Sequence, residues 1–453
     1  MFDVAVVGGG VVGCAVARRF TLQGARVLLL EKGADILCGA SKGNSAILHT
    51  GFDAPAGSLE LACMQAGYRE YQEIHERLGL PLLESGAIVA AWNEEQHVKL
   101  AGIAAAAHDN GVADVRLISR DDILAREPAL AETVLGGVLV PGEFLIDPWS
   151  APMGYVLQAL ENGAEVRRNT EVLAGAFDKH WRLETSTGEV LARMVVNCAG
   201  LYGDVVDERL TGERKFTIKP RKGQFVVFDK AAARLLRTIL LPVPEERTKG
   251  IVLTPTVFGN LLVGPTAEEQ ESRERADTDE ATLRMLVGRA VEMLPALRTM
   301  PVTAIYAGIR PATEEKKYRV RHEPRQNYIV LGGIRSTGLT AALGLAQHAW
   351  DLYARAHEAV AAPVWPQAPR LAEHCPRDWQ EPGYGEIICH CELVTRREIE
   401  AALAGPLPAQ DWGGLKRRTR AGMGRCQGFY CNAALAALTA GRLRPPVAEV
   451  THD

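Results

Sequence analysis

A chain that opens FDVAVVGGGVVGCAVARRF has little freedom in how its first unit folds. A short apolar strand runs into a glycine turn and then into a helical pattern, with Gly8, Gly10 and Gly13 in the order G-x-G-x-x-G. The first glycine makes the tight turn, the second lets backbone approach a pyrophosphate, and the third lets the helix pack close to the strand. The pyrophosphate then sits on unpaired N–H groups at the helix N-terminus. A second buried-looking strand, RVLLLEK, ends in Glu31, 18 positions beyond Gly13, where a carboxylate accepts from ribose hydroxyls. The bland alternative is a glycine-rich turn with no ligand. The strand and carboxylate that follow favour a dinucleotide. Because Glu31 would repel a 2′-phosphate, FAD and NAD remain as the choices.

At 453 residues the chain exceeds one compact core, so two or three domains are expected. The net charge of −4 supplies no global pull on nucleic acid or an anionic membrane. No apolar run approaches the roughly 20 residues that span a bilayer, and the N-terminus lacks the charged and small-residue segments of a signal peptide. A cytoplasmic location is expected, where thiols stay reduced. Peripheral contact with a membrane through a partner is the alternative. Of nine cysteines, Cys14, Cys38, Cys63, Cys198 and Cys375 are scattered and read as small hydrophobes. The other four are clustered.

Three later stretches extend the nucleotide reading. GASKGNSAILHTG offers backbone and hydroxyl donors for a phosphate or a flavin ring. EVRRNTEVLAGAFDKHWRLETSTGEVLARMVVNCAGLYGD reads as strands at hairpin spacing with an STGE turn. NYIVLGGIRSTGLTAALGLAQHAW reads as strand, glycine loop and helix. With PRKGQF at 220–225, AGIRP at 307–311 and GGIRSTGLT at 332–340, the first 360 residues or so resemble the FAD-dependent D-amino-acid-oxidase superfamily. GNSAILHTGF and GNLLVGPTAEE resemble, within it, the anaerobic glycerol-3-phosphate dehydrogenase large subunits and the L-2-hydroxyglutarate oxidases.

The resemblance implies an α/β fold with a discontinuous, Rossmann-like FAD-binding domain (1–80, 148–215 and 326–360) and an α+β substrate domain (81–147 and 216–325). It implies FAD contacts from Gly8, Gly10, Gly13, Glu31, Lys32, Ala40, Ser41, Asn44 and Ser45. Val172, Ala199, Gly200, Gly333, Gly338, Leu339 and Thr340 complete that set. A flavin of this kind takes a hydride while the substrate also loses a proton. The substrates of the resembling enzymes are small anions, and arginine matches carboxylate or phosphate bidentately. Arg310 matches the family's substrate-anion arginine, the alternative being a surface salt-bridge arginine, and the resemblance places Arg335 as a second cation near the flavin. Lys222 and Lys249 are candidate helpers, with a solvated surface position as the favoured alternative. The resembling families keep a histidine where His49 stands, which makes it the candidate base or flavin-positioning residue; the alternative is a structural role.

Cys389, Cys391, Cys426 and Cys431 form C-x-C-x34-C-x4-C. Four thiolates in a cytosolic chain point to a metal or iron–sulfur site before disulfides. Zinc habitually takes C-x2-C pairs; C-x-C suits a 2Fe–2S cluster better, with zinc or a redox thiol pair as alternatives. Thr395 and Glu398 form a capping box that opens the helix TRREIEAALAG. The tail at 385–445 resembles the bacterioferritin-associated-ferredoxin-like 2Fe–2S domain, a small helical module, and the Pro-rich 361–384 reads as a linker. The run KRRTR at 416–420 would offset cluster charge, dock an acidic partner, or form a solvated face.

The whole reads as a flavoprotein dehydrogenase with FAD and a 2Fe–2S cluster. It would oxidise glycerol 3-phosphate or an L-2-hydroxy acid and pass electrons through the cluster to an acceptor protein or partner subunit. The alternatives are an amine or imino-acid dehydrogenase subunit, and an electron-transfer or redox-sensing subunit without a substrate of its own.

Overall fold

The computed structural model describes residues 1–244, 250–353 and 355–448. The opening strand Phe2–Val7 is apolar throughout because both its faces are covered. It pairs in parallel with Val27–Leu30 on one side and Gly188–Asn197 on the other. Glu165–Arg167 extends the sheet beyond Val27–Leu30. The ten-residue strand Gly188–Asn197 serves two neighbours along its far edge. Its first half takes the antiparallel hairpin Val172–Asp178 and His180–Thr185, and its last residues take Tyr328–Gly332 in parallel. Arg319–Glu323 then pairs antiparallel with Tyr328–Gly332. Segments more than 300 residues apart in sequence thus share one sheet.

The helices Val11–Leu22, Leu59–Ile74, Ser150–Glu161 and Gly338–Asp351 pack with this sheet in one core. Two of them approach through glycine. A Cβ on Gly67 would lie 2.0 Å from the Thr340 carbonyl oxygen, and one on Gly344 would lie 2.1 Å from that of Cys63. This contact seats the Gly338 end of its helix beside the nucleotide turn.

Among the described residues the second sheet has nine strands, antiparallel except where Ile239–Pro242 runs parallel to Ala87–Ala91. Both faces are buried: Ala87, Val89 and Ala91 face the helix Glu94–Asp109, while Ile88 and Ala90 face the helix Glu280–Met293. That two-sided burial explains why AIVAA shows no polar alternation. Asn93 and Asp279 cap these two helices. The long strands Ile218–Phe228 and Val302–Thr313 pair along their whole length and carry Gly223, Phe225, Gly308 and Arg310 toward the first sheet.

The C-terminal module holds three short helices, Arg396–Ala404, Trp412–Thr419 and Asn432–Thr439, around a core that includes Cys389 and Cys431. The capping box is present: Thr395 Oγ1 accepts the Glu398 N–H at 3.1 Å, and Glu398 accepts the Thr395 N–H at 2.8 Å. The Pro-rich 361–384 segment is packed along the body. Trp365 lies under Arg77 at 3.6 Å, the Ala368 N–H donates to the Leu78 carbonyl at 2.8 Å, and Leu371 and Ala372 join the second sheet's core. Among the described residues no helix is long and apolar enough to cross a membrane.

Candidate active site

A cavity of about 520 Å³ opens between the two sheets, over the carboxyl ends of Phe2–Val7 and Val27–Leu30. That is the size and the place at which an α/β sheet holds a ligand. Gly8 and Gly10 line it. Gly8 has φ +107°, and a Cβ there would lie 2.6 Å from the Cys198 carbonyl oxygen, so only glycine fits the turn. Gly13 lies outside the cavity wall, against the strand, where a Cβ would sit 1.9 Å from the Gly8 carbonyl oxygen. Ser41 faces this turn, its Oγ accepting the Val11 N–H at 3.0 Å. A hydroxyl thus meets a first-turn amide that the helix cannot satisfy internally, which is the chemistry of an anion site.

Glu31 lines the cavity with its two oxygens held by backbone: the Gly9 N–H donates at 2.6 Å and the Gly33 N–H at 2.7 Å. Burial raises its pKa, and those two N–H groups work against the rise. Lys32 stacks on the Tyr202 ring at 3.4 Å, and the Tyr202 hydroxyl donates to Glu274 at 2.5 Å. Arg273 braces this corner through a two-pronged pair with Asp204 at 2.5 and 2.9 Å. Val172, Ala199 and Gly200 line the same end. Tyr202, Arg273 and Glu274 were not singled out from the sequence. Tyr202 lies inside the quoted NCAGLYGD stretch, but Arg273 and Glu274 come from a polar loop with no motif to mark it.

At the other end stand Ala40, Asn44, Ser45, Gly338 and Leu339. Asn44 shapes the loop, its Oδ1 accepting the Ala46 N–H at 2.7 Å. Gly43 and Gly308 meet back to back: a Cβ on Gly43 would lie 3.0 Å from the Gly308 Cα. Arg310 lines the cavity from the second sheet, and its Nη2 donates to the Thr266 carbonyl at 2.8 Å. Among the described residues no carboxylate forms an ion pair with it. Loss of water around the guanidinium, with Arg221 nearby, lowers its pKa to about 10. Arg335 also lines the cavity, but Glu60 pairs with it at 3.1 Å. Of the two cations, Arg310 is the one with charge to spare for a ligand.

Gly333, Thr340 and His49 do not line the cavity. Thr340 stands one layer behind, its Oγ1 accepting the His49 N–H at 3.0 Å. His49 Nδ1 meets Glu143 at 2.7 Å, and Glu143 is fully buried. The same carboxylate accepts the N–H and the hydroxyl of Thr50 at 2.6 and 2.8 Å. Glu143 thus fixes the orientation of the His49 ring through Nδ1. Glu143 lies in PGEF, with nothing in its own neighbourhood to announce a partner 94 residues away. Lys222 does not reach the cavity either; Glu268 pairs with it at 3.0 Å. Lys249 lies outside the described residues.

The four clustered cysteines come together in the C-terminal module. The Cys391 thiol lies within hydrogen-bonding reach of Cys426, and that of Cys431 within reach of Cys389. Cys391 also feels the charge of Cys389, and Cys431 that of Cys426, so all four thiols lie at one place. Two pairs of thiols suit a cluster of two irons better than one tetrahedral zinc. The backbone N–H of Tyr430, aided by those of Gly428 and Phe429, holds the Cys426 thiol below its ordinary pKa. Gly424 packs on the site, since a Cβ there would meet that of Cys391 at 2.4 Å. No two of the nine cysteines form a disulfide; of the scattered five, Cys14, Cys63 and Cys198 are buried, while Cys38 and Cys375 are partly exposed.

The KRRTR run is neither a solvated face nor a free docking patch. Arg418 pairs with fully buried Asp35 at 2.6 and 2.8 Å, and Arg417 donates to the Ile36 carbonyl at 3.1 Å. Arg420 pairs with Glu392 at 2.9 Å. The run is the seam that holds the cysteine module to the nucleotide domain.

Residues 3–352 match the family described as FAD dependent oxidoreductase, and residues 387–440 match the BFD-like 2Fe-2S binding domain. The glycerol 3-phosphate dehydrogenase of Caloramator mitchellensis is 30% identical across all of this chain and 97% of its own length. The human mitochondrial L-2-hydroxyglutarate dehydrogenase is 27% identical over 60% of this chain and 62% of its own. Among solved structures, the FAD-bound L-alpha-glycerophosphate oxidase of Mycoplasma pneumoniae superposes with a TM-score of 0.75 at 26% identity, over 80% of this chain and 97% of that one. The chain belongs to the FAD-dependent oxidoreductases and carries a 2Fe–2S domain behind its flavin domain.

Proposed function

We propose that this enzyme is a dehydrogenase of glycerol 3-phosphate. The carrying observation is Arg310, a guanidinium on the cavity wall with no carboxylate partner among the described residues and a pKa lowered by loss of water. An anionic substrate supplies the missing charge, and phosphate takes an arginine fork bidentately. The phosphate reading is favoured over an L-2-hydroxy acid because the similarity to a glycerol 3-phosphate dehydrogenase extends through the cysteine module, whereas that to L-2-hydroxyglutarate dehydrogenase covers 60% of the chain.

Bound FAD supplies the acceptor for the hydride leaving the carbinol carbon. Arg310 anchors the phosphate and so orients that carbon. His49, held through Nδ1 by Glu143 behind the cavity wall, is assigned as the base for the hydroxyl proton or as a flavin-positioning residue. Gly8, Gly10, Glu31 and Ser41 hold the dinucleotide, and Cys389, Cys391, Cys426 and Cys431 hold the cluster. The division into flavin pieces at 1–80, 148–215 and 326–360 around substrate pieces at 81–147 and 216–325 belongs to the same reading. A cluster held by these four cysteines would supply one-electron transfer between the flavin and a one-electron acceptor protein.

An anaerobic absorbance titration tests this. Glycerol 3-phosphate, L-2-hydroxyglutarate, L-lactate and L-proline are added separately while the flavin and iron–sulfur bands are followed. Bleaching of both chromophores by glycerol 3-phosphate alone is the expected result. Bleaching by another of the four reassigns the substrate, and bleaching by dithionite only rejects the dehydrogenase reading for the isolated chain.

A further inference from the structure

Between the cavity and the cysteine module runs an unbroken line of contacts. Lys42 and Pro148 belong to the cavity wall. Trp149, next in sequence to Pro148, donates its Nε1–H to the Lys42 carbonyl at 3.2 Å. Its ring stacks on Phe258 with centroids 5.3 Å apart and planes 15° from parallel. The Arg420 guanidinium lies 4.1 Å above the centroid of the other end of this stack, the Phe258 ring. Arg420 Nε donates to Glu392 at 2.9 Å, and Glu392 directly follows Cys391. Phe258 is 6% exposed and Arg420 4%, while Trp149 is half-buried. Asp147 fixes its near end by accepting the Trp149 N–H at 2.9 Å.

These three residues come from three separate parts of the chain: the turn before Ser150–Glu161, the loop between two strands of the second sheet, and the last residue of KRRTR. Burying an arginine costs free energy unless charge and contacts compensate it. Glu392 supplies the charge, and the ring face of Phe258 supplies a cation–π contact. Asp35 and Arg418 already fasten the module elsewhere, so docking alone does not call for an aromatic stack aimed from the cavity wall at a cluster cysteine.

We propose that Trp149, Phe258 and Arg420 form the contact through which electrons pass from the flavin site to the cluster. The inference rests on the reading that the cluster is reduced by the flavin. In each turnover two electrons cross singly, each reducing one ferric ion to ferrous. The substrate's protons leave to solvent, and a one-electron acceptor of the cytochrome or iron-cyanide class reoxidises the cluster before the second crossing.

The test is anaerobic stopped-flow reduction of holoenzyme by glycerol 3-phosphate, with flavin and cluster bands followed separately, in Trp149→Leu, Phe258→Leu and the conservative Phe258→Tyr. The leucine variants should bleach flavin at the wild-type rate and cluster about tenfold more slowly, the loss expected when roughly one ring contact no longer holds the aligned arrangement. Phe258→Tyr should restore the cluster rate. Limited proteolysis of the same proteins, with and without cofactors, provides a second readout and should match the wild type. Wild-type cluster rates in both leucine variants overturn the proposal. Slow cluster reduction accompanied by new cleavage at the module seam also overturns it, since the stack would then serve docking. If substrate bleaches wild-type flavin and the cluster stays oxidised, the underlying reading fails and the proposal goes with it, an outcome distinct from the other two.

Discussion

Arg310 and Arg418 are both drawn away from bulk water, yet they are compensated in opposite ways. Arg418 meets Asp35 with two hydrogen bonds inside the protein, so its charge is spent where it lies. Arg310 has a carbonyl for company and keeps its charge facing the cavity. A buried pair of ions is costly to assemble and costlier to break. A cation withdrawn from water without a counter-ion costs stability, and a fold retains that strain where something arriving later relieves it. On the proposed function, partnership more than burial separates an arginine that builds the fold from one that takes a ligand.

The largest expected effect breaks the seam. Asp35→Ala leaves the Arg418 guanidinium buried without a counter-ion and removes the contact with Arg168 at 3.5 Å. Loss of one partner of such a pair costs about 3–5 kcal/mol. Chemical denaturation followed by cluster absorbance should show the module melting early, with flavin reduction by substrate retained at low denaturant. An unchanged midpoint would mean the pair contributes nothing to holding the module. On the other side of the comparison, Arg310→Met should leave the denaturation midpoint unchanged or raised, because no ion pair is lost. It should lower kcat/KM for glycerol 3-phosphate by about 1.5–3 kcal/mol, the range for hydrogen bonds to a charged group. A fall in stability with kcat/KM preserved would reverse the assignment of the two arginines.

The sequence exposed one side of this contrast far better than the other. The nucleotide turn was legible because chain geometry demands its residues: Gly8 needs a positive φ, Gly13 a bare α-carbon, and Glu31 a fixed distance from both. The cysteine spacing and the Thr395 capping box were legible for the same reason, each being set over a few residues of local backbone. His49 was legible only by resemblance, and Glu143, its partner, not at all, because their contact is made by tertiary folding across 94 residues. KRRTR invited the reading of a solvated stretch. Its partners Asp35, Ile36 and Glu392 lie elsewhere in the chain, and no local pattern ties a cation to a distant acid. The segment 361–384 has the composition of a spacer, yet Leu371, Ala372 and Arg377 are buried, since proline shapes a strap over a surface as readily as a free linker.

Titration sharpens the contrast with a smaller effect per step. Loss of water lowers the Arg310 pKa to about 10. The sign follows from proton counting. An arginine lowered on folding binds fewer protons in the folded state than in the unfolded one between its two pKa values. Its strain on stability is therefore full below about 10 and relieved as pH rises above that value. Anion binding has the opposite sign, being intact below this pKa and lost above it. Affinity for a substrate-like phosphate should weaken by up to about 1.4 kcal/mol for each pH unit above the Arg310 pKa. Isothermal titration from neutral pH upward checks this, with Arg310→Met giving a flat profile. A break at the same pH in the methionine variant would place the titrating group elsewhere.

Thr395 offers the smallest and most local test of how independent the two regions are. Its hydroxyl accepts the Glu398 N–H at the start of the helix that follows the first cysteine pair, and its own N–H is taken by the Glu398 carboxylate. It also donates to Asp378 at 2.5 Å, tying the strap to the module. Thr395→Ala should cost about 1 kcal/mol, the usual price of a lost N-cap. That cost should fall on the module alone, because the Asp35–Arg418 pair and the nucleotide cavity are untouched. Cluster absorbance should then melt a little earlier than in wild type, while FAD release on heating keeps its midpoint. If both midpoints shift together, the arginine seam welds module and flavin domain into one cooperative unit, and the cysteine module owes its stability to the seam more than to its own caps.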